Sequence, residues 1–281
     1  MGNLVYTAIS ILIISIFAGI FGSLLGLGGG MIVIPALTLL MGVDIKYAIT
    51  AGLISVISTS SGSAVVYVRD KITNIRVGMF LELATTIGAL TGALVAGFLQ
   101  PKILYILFAL QLFYSAYSMI KKRNQELPEI RSIHPMAEKL KLRGEYYDKA
   151  LNQTITYQAS SVYGGFGLMY LAGMISALLG IGSGSFKVIA MDHLMNLPMK
   201  VSTATSNFMM GVTAAASAGI YLFRGQIDPK IAGPVAIGVV IGATIGTKLM
   251  QRMRSVTLRK IFIPVLLYVA VEMLLQGLGV K

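Results

Sequence analysis

The run LLGLGGG at Leu24 to Gly30 returns as LLGIGSG at Leu178 to Gly184, 154 residues later and again in the middle of an apolar stretch. A helix in an apolar medium must satisfy its own backbone. A glycine-rich break survives there only where protein or a water-filled cavity takes over the freed N–H and C=O groups. Two such breaks at matching places in two halves constrain the chain to a duplicated membrane unit, and they predict a transporter whose site lies at the breaks.

The duplication extends well beyond the glycines. The same offset of 154 pairs Ala18 and Gly19 with Ala172 and Gly173, Lys46 with Lys200, Thr59 with Thr213 and Ser63 with Ser217. It also pairs Tyr67 with Tyr221, Gly88 with Gly242 and Gly92 with Gly246. Two apolar segments share leucines and valines by chance, but not this many polar and glycine identities in one register. The chain is therefore expected to comprise a first transmembrane repeat over 1–121, a linker over 122–161 and a second transmembrane repeat over 162–281.

With 56% hydrophobic residues, 12% charged residues and a mean hydropathy of +0.78, the sequence is too apolar and too weakly charged for a soluble domain of this size. The net charge of +12 would suggest nucleic acid in a soluble chain. Here Lys and Arg concentrate between apolar spans, which is a pattern of membrane topology, and no nucleic acid is expected as a partner. Cysteine is absent, which excludes disulfides, thiolate metal sites and a cysteine nucleophile. The first apolar run continues to about Leu25 without a basic region before it or a small-residue cleavage site, so it is expected to stay as a helix.

Long apolar runs lie at about 4–25, 47–68, 77–99, 101–120, 162–181, 201–223, 231–250 and 258–277. Each has the roughly 20 residues that a helix needs to cross a bilayer. The shorter apolar segments 31–42 and 185–197 directly follow the glycine motifs. At about 1.5 Å per residue they reach only part of the way through roughly 30 Å of hydrocarbon, which makes them half-helix or re-entrant candidates. The expected fold is an all-α polytopic membrane protein of two repeats, each with four long helices and one short broken or re-entrant helix.

Basic residues set the orientation, since short loops rich in Lys and Arg stay in the cytoplasm. The segment 121–149 carries eight of them, which places the linker inside. Alternating the spans from there puts 17 basic residues inside and 5 outside, with Lys187 left within the membrane. That count requires each long first helix and its short partner together to return the chain to its starting side. The first repeat then begins outside and the second inside, so the repeats are inverted and both termini are extracytoplasmic, in a plasma-membrane protein. Within the linker, Gly144 to Ala159 has a turn-like centre near Asn152 and an alternating run from Thr154 to Gln158. A small cytoplasmic β-hairpin with a connective role is expected there.

Three stretches carry a family resemblance: GLGGGMIVIPAL, the YAITAGLISV helix that follows it, and GIGSGSFKVIAMDHLMNLPMKVSTATSNFM in the second half. Over nearly its whole length the chain resembles the sulfite exporter TauE/SafE family of membrane permeases. The resemblance implies movement of a small sulfur oxyanion or an organosulfonate, largely by export. The second motif departs from the family's triple glycine, with Ser183 in the middle and Ser185 after Gly184. That departure leaves the substrate open.

The residues themselves suggest where an anion would sit. Gly28, Gly29 and Gly30 precede one short helix, and Gly182, Ser183, Gly184 and Ser185 precede or open the other. Glycine lets a ligand approach the backbone closely, and free N–H groups at a helix start favour an anion. The competing structural reading is that small residues merely let helices pack tightly. Thr205, Ser206 and Asn207 form a dense polar cluster near the start of the next long helix, where the matching residues are Ala51, Gly52 and Leu53. Ser55, Thr59 and Thr213 are further polar lining candidates, although Ser and Thr often bond their own helix carbonyls. Lys187 has Val33 as its counterpart, and could attract the anion, pair with Asp192 or extend to the membrane edge. Asp192, His193, Glu82 and Glu272 are candidates for proton coupling.

Three function classes compete on this evidence. A secondary carrier for a small anion leads, given inverted repeats and the lack of a nucleotide-binding motif. A channel, or an importer of another anion, would use the same broken helices. An intramembrane enzyme is least supported, because no HExxH, GxSxG or paired-carboxylate arrangement occurs. No cofactor or metal is expected, the lipid bilayer is the implied environment, and a homo-oligomer is left open.

Overall fold

The computed structural model of the protein describes residues 2–121, 135–148, 151–252 and 255–279. The first half comprises α1 (Gly2–Leu25), α2 (Gly30–Pro35), α3 (Ile45–Arg69), α4 (Ile75–Ala96) and α5 (Pro101–Lys121). A short helix α6 (Pro135–Lys139) and the strands β1 (Arg143–Asp148) and β2 (Gln153–Gln158) follow. The second half comprises α7 (Val162–Leu179), α8 (Gly184–Ile189), α9 (Met199–Phe223), α10 (Pro229–Arg252) and α11 (Ser255–Leu278). Both short helices run on into a π-helical turn, α2 into Ala36–Leu40 and α8 into Ala190–Leu194.

Five stretches among the described residues are long and apolar enough to cross a bilayer: Tyr6–Leu24, Ile45–Arg69, Ile75–Ala96, Val162–Leu179 and Pro229–Met250. The 25-residue α9 matches them in length but is rich in Ser, Thr and Asn. It is the central helix, packed against both α3 and α4, and its Ser202, Thr205, Ser206, Asn207, Thr213 and Ser217 are all fully buried. Large apolar side chains such as Phe17, Leu83, Leu94, Ile237 and Ile245 stand on the outside instead. Buried hydroxyls together with an apolar outer surface depart from the pattern of a soluble domain, and this is the distribution of a polytopic membrane protein.

Local chemistry fixes where the helices begin. Asp44 Oδ1 accepts the Lys46 N–H at 2.8 Å and caps α3, and Asn74 Oδ1 accepts the Val77 N–H at 3.1 Å and caps α4. The packing is symmetric under exchange of the halves. α1 packs on α10 and its counterpart α7 on α4, while α3 meets α9 and α5 meets α11. Tyr67 donates to the Ser23 carbonyl at 2.9 Å, joining the ends of α3 and α1, and Tyr221 repeats the bond to Ala177 at 2.8 Å between α9 and α7.

Glycines let the paired helices touch backbone to backbone. A Cβ at Gly238 would run into the Leu12 carbonyl oxygen, one at Gly242 into that of Ile16, and one at Gly246 into that of Ile20. The two sets of numbers rise together, so α1 and α10 are parallel. In the other seam, Gly88 lies on the Tyr170 carbonyl and Gly92 on that of Met174, so α4 and α7 are parallel as well. Such seams bring backbones close in an environment where apolar side chains gain nothing by leaving lipid.

The hairpin pairs Arg143 with Gln158 and Asp148 with Gln153 in antiparallel register, and Asn152 in its turn has a positive φ of 54°. It is anchored to the helices. Lys200, near the start of α9, donates to Asp148 Oδ1 at 2.7 Å, and both side chains are buried. Asn74, at the turn between α3 and α4, donates to the Tyr157 hydroxyl at 3.2 Å.

The seams have a direct test. Gly242→Ala and Gly88→Ala are each expected to destabilise the purified protein by about 1–3 kcal/mol through overpacking, read as a lower melting temperature. Gly219→Ala, where nothing lies within 4 Å, serves as the neutral control. Equal melting temperatures for all three variants would contradict the packing described.

Candidate functional site

The site begins with two helix terminations. α1 stops because Gly26 turns into the left-handed region at φ 68°, where the Leu27 N–H closes back on the Gly22 carbonyl at 3.0 Å. α7 stops in the same way at Gly180, φ 69°, whose N–H bonds the Ser176 carbonyl at 2.9 Å. Only glycine takes this conformation at little cost, which is why both motifs carry it at the first position past the helix.

The two breaks then meet each other. A Cβ at Gly30 would stand 2.6 Å from the Gly180 carbonyl oxygen, and one at Gly184 would collide with that of Gly26. These two contacts are exchanged by the 154-residue offset. The crossing is closed off by the central helices: Gly26 lies against the Thr203 backbone of α9 and Gly180 against the Ile49 backbone of α3. Ser206 Oγ donates to the Gly26 carbonyl at 2.8 Å and lies 3.4 Å from that of Gly184, so one hydroxyl ties both motifs together. Its counterpart Gly52 simply packs against the Gly180 carbonyl.

Around this crossing the structure gathers most of the polar residues that the sequence singles out. Thr59 Oγ1 accepts the Gly29 N–H at 3.1 Å, and Ser55 lies beside the same glycine. Asn207 donates to the carbonyls of Ser23 and Thr203, both at 3.1 Å. Thr205 is turned to another task, accepting the Asn74 N–H at 3.0 Å where α4 begins. Ser185 lies in α8, with its side chain outside the described residues. Among the described residues, fully buried polar atoms without a partner at or near the breaks include Ser55 Oγ, Ser176 Oγ, Ser183 Oγ and Asn207 Oδ1. Buried polar groups are almost always satisfied, so such atoms mark where water or a ligand belongs.

Lys187 is fully buried, and its partner is Glu82 rather than Asp192. Its Nζ lies 2.5 Å from Thr213 Oγ1 and 3.5 Å from Glu82 Oε2. Thr213 in turn lies 2.6 Å from Glu82 Oε1, with Thr86 at 3.0 Å from the same oxygen and Thr85 at 2.8 Å from the other. An unpaired lysine within a membrane helix would cost roughly 2.5–3.5 kcal/mol, and the neighbouring carboxylate offsets part of that cost. Glu82 follows the first seven residues of α4, and its side chain is only 12% exposed.

The remaining candidates lie elsewhere. Asp192 and His193 neighbour one another at 3.8 Å on the π-helical turn after α8, and Glu272 stands on α11, which packs on α5. Sequence reasoning did not foresee that Lys187 and Glu82 pair, because they are 105 residues apart and no spacing connects them. Thr85 and Thr86 were legible in hindsight, being one helical turn beyond Glu82. A cavity of about 230 Å³ opens beside the site, walled by Leu107, Leu110, Tyr114, Leu178 and Phe186. Its lining is almost wholly apolar and suits hydrocarbon rather than an anion.

The profile of the family described as "Sulfite exporter TauE/SafE" matches residues 11–273. The chain belongs to this family. Among curated relatives, the probable membrane transporter protein YunE of Bacillus subtilis is 26% identical over 275 residues, covering 95% of this chain and 97% of the relative. The probable membrane transporter protein YdhB of the same organism is 27% identical over 250 residues, covering 89% and 93%. A probable membrane transporter protein of Sinorhizobium is 22% identical over 280 residues, covering 98% and 95%. No solved structure matches. The TauE/SafE match spans both glycine breaks and the Lys187 cluster, so this is a multi-pass protein of a membrane-transporter family.

Gly29 and its counterpart Ser183 are unlike in backbone as well as side chain: Gly29 is right-handed at φ −64° and Ser183 left-handed at φ 49°. A non-glycine residue in that region costs roughly 1–2 kcal/mol. Ser183→Gly is therefore expected to raise the melting temperature, by the equivalent of about 1 kcal/mol. An unchanged or lower value would mean that the Ser183 hydroxyl makes a compensating bond in the folded protein.

Proposed function

We propose that this chain is a secondary carrier for a small sulfur-containing anion such as sulfite or an organosulfonate, working by alternating access with the anion held at the crossed glycine breaks. The family's name supports the sulfur anion and export. The observation that carries the site assignment is the pair of fully buried, unpartnered serine hydroxyls at that crossing, Ser55 Oγ and Ser183 Oγ. Serine hydroxyls can replace an oxyanion's water without adding fixed charge. Ser206 and Lys187 would hold the two motifs and the charge balance around it.

Helix directions support inverted repeats. α1 is parallel to α10, and the short turn at 224–228 reverses the chain between α9 and α10. α9 is parallel to α4, since Asn74 meets Thr205 while Glu82 meets Thr213. α4 is parallel to α7, so α1 and α7 run in opposite directions. On this reading the hairpin and linker lie on the cytoplasmic side of the plasma membrane, with both termini outside. The breaks then enter the bilayer from opposite faces and meet near its middle, the arrangement on which alternating access rests.

The test is flux into proteoliposomes with sulfite, thiosulfate, sulfoacetate and sulfate. Saturable flux stimulated by anion on the far side is expected for at least one of them, whereas a channel would give neither saturation nor stimulation. Lys187→Ala should raise the half-saturation concentration about tenfold or more, the size expected when a hydrogen bond to a charged group is lost, and Ser206→Ala should raise it by loosening the tie between the two motifs. Flux absent for every anion from correctly folded protein would contradict the function. Unchanged kinetics in both variants would contradict the site alone.

A further inference from the structure

We infer that Glu82 is the proton-binding group of this carrier, and that the transported anion competes with its carboxylate for Lys187. The inference rests on the carrier reading above and adds the coupling ion, the stoichiometry and the residues responsible.

The geometry is that of an exchangeable pair. Lys187 Nζ is 2.5 Å from Thr213 Oγ1 but 3.5 Å from Glu82 Oε2, longer than the roughly 2.7–2.9 Å of a tight ammonium–carboxylate bond. The ammonium is held by Thr213 and leans on Glu82. The carboxylate has further partners, with Thr213 and Thr86 at Oε1 and Thr85 at Oε2, so it stays in place if Lys187 is drawn to another anion. All three threonine hydroxyls can rotate, donating to a carboxylate or accepting from a carboxylic acid.

Charge decides the rest. With Glu82 ionised, the pair is neutral, and a monovalent anion arriving at Lys187 would leave a net negative charge in a buried site. Binding one proton at Glu82 converts the carboxylate to a carboxylic acid and frees the positive charge of Lys187, and the anion then restores neutrality. On release the anion departs, the acid gives up its proton and the pair re-forms. One proton and one monovalent anion, such as hydrogensulfite, therefore move in the same direction without net charge, outward where the anion's own gradient exceeds that of the proton. Lys187 is fully buried, whereas Glu82 keeps 12% of its side-chain surface.

The surroundings add no second charge. Among the described residues of the elements packed around Glu82, α7 presents Tyr170, which lies 3.5 Å from Thr91 further along α4, and α9 presents Thr213. α8 presents Lys187 as the charged group in contact with the carboxylate. The first repeat has Val33 where the second has Lys187, and the second has Ala236 where the first has Glu82. The pair is thus not repeated at the symmetry-related positions, consistent with one proton per cycle.

The experiment is isotopic exchange of sulfite across proteoliposomes over a range of pH, comparing wild type with Glu82→Gln, together with net flux under an imposed proton gradient. Changes in the anion's own protonation are common to both proteins, so the difference reports Glu82. Wild-type apparent affinity should fall towards tenfold per pH unit once Glu82 is ionised. In Glu82→Gln that added slope should vanish, while net proton-driven flux drops at least tenfold and exchange remains measurable. The same pH slope in both proteins, with exchange intact, overturns the coupling and leaves the carrier standing. Absence of exchange in folded wild-type protein overturns the carrier itself. Should Glu82→Gln fail to fold, Glu82→Asp takes its place, with a shifted midpoint of the slope expected and an unmoved one contrary.

Discussion

Everything central in this protein depends on two polypeptide backbones touching where both helices are broken. Gly30 against the Gly180 carbonyl and Gly184 against the Gly26 carbonyl leave no room for a single β-carbon. Both helices are interrupted at that contact, and side chains meet the freed backbone groups: Ser206 Oγ donates to the Gly26 carbonyl and Thr59 Oγ1 accepts the Gly29 N–H. Free backbone groups within a bilayer are otherwise too costly. The long helices read as a frame for it: α3 and α9 press on the crossing from either side, and the glycine seams of α1 with α10 and α4 with α7 close the frame around them.

The frame is symmetric, but the polar chemistry inside it is not. At matching positions Gly52 packs where Ser206 bonds, Val33 packs where Lys187 pairs with Glu82, and Gly29 is right-handed where Ser183 is left-handed. The proposed alternating access would draw on that symmetry, and the proposed anion selection on the asymmetric lining of the second half. Thr59 and Thr213 illustrate the division: the first accepts the Gly29 N–H, whereas the second bridges Lys187 and Glu82.

The membrane character, the duplication and the helix breaks were legible in the sequence because each is a local pattern or a fixed offset. The span boundaries came within a few residues for the same reason, as with α4 at Ile75–Ala96 against an expected 77–99. What was not legible is contact at a distance. No periodicity connects Glu82 with Lys187, or Asp148 with Lys200, and the sequence equally allowed Lys187 to pair with Asp192. Thr205 looked like an equal member of a polar cluster, but packing against the start of α4 commits its hydroxyl to Asn74. Backbone conformation was hidden too, since nothing in LLGIGSG says that Ser183 turns left-handed where Gly29 does not.

The account turns on the two repeats entering the membrane from opposite sides, so that their breaks meet. The natural absence of cysteine allows this to be measured on an otherwise unaltered chain. Arg69 and Phe223 are exposed residues at corresponding ends of α3 and α9, so Arg69→Cys and Phe223→Cys can be labelled with a membrane-impermeant thiol reagent on intact cells and on inverted vesicles. Labelling of Cys at 223 from outside and of Cys at 69 only from the cytoplasmic side is the expected result. Labelling of both from the same side would contradict the inverted arrangement, and with it the meeting of the two breaks from opposite faces.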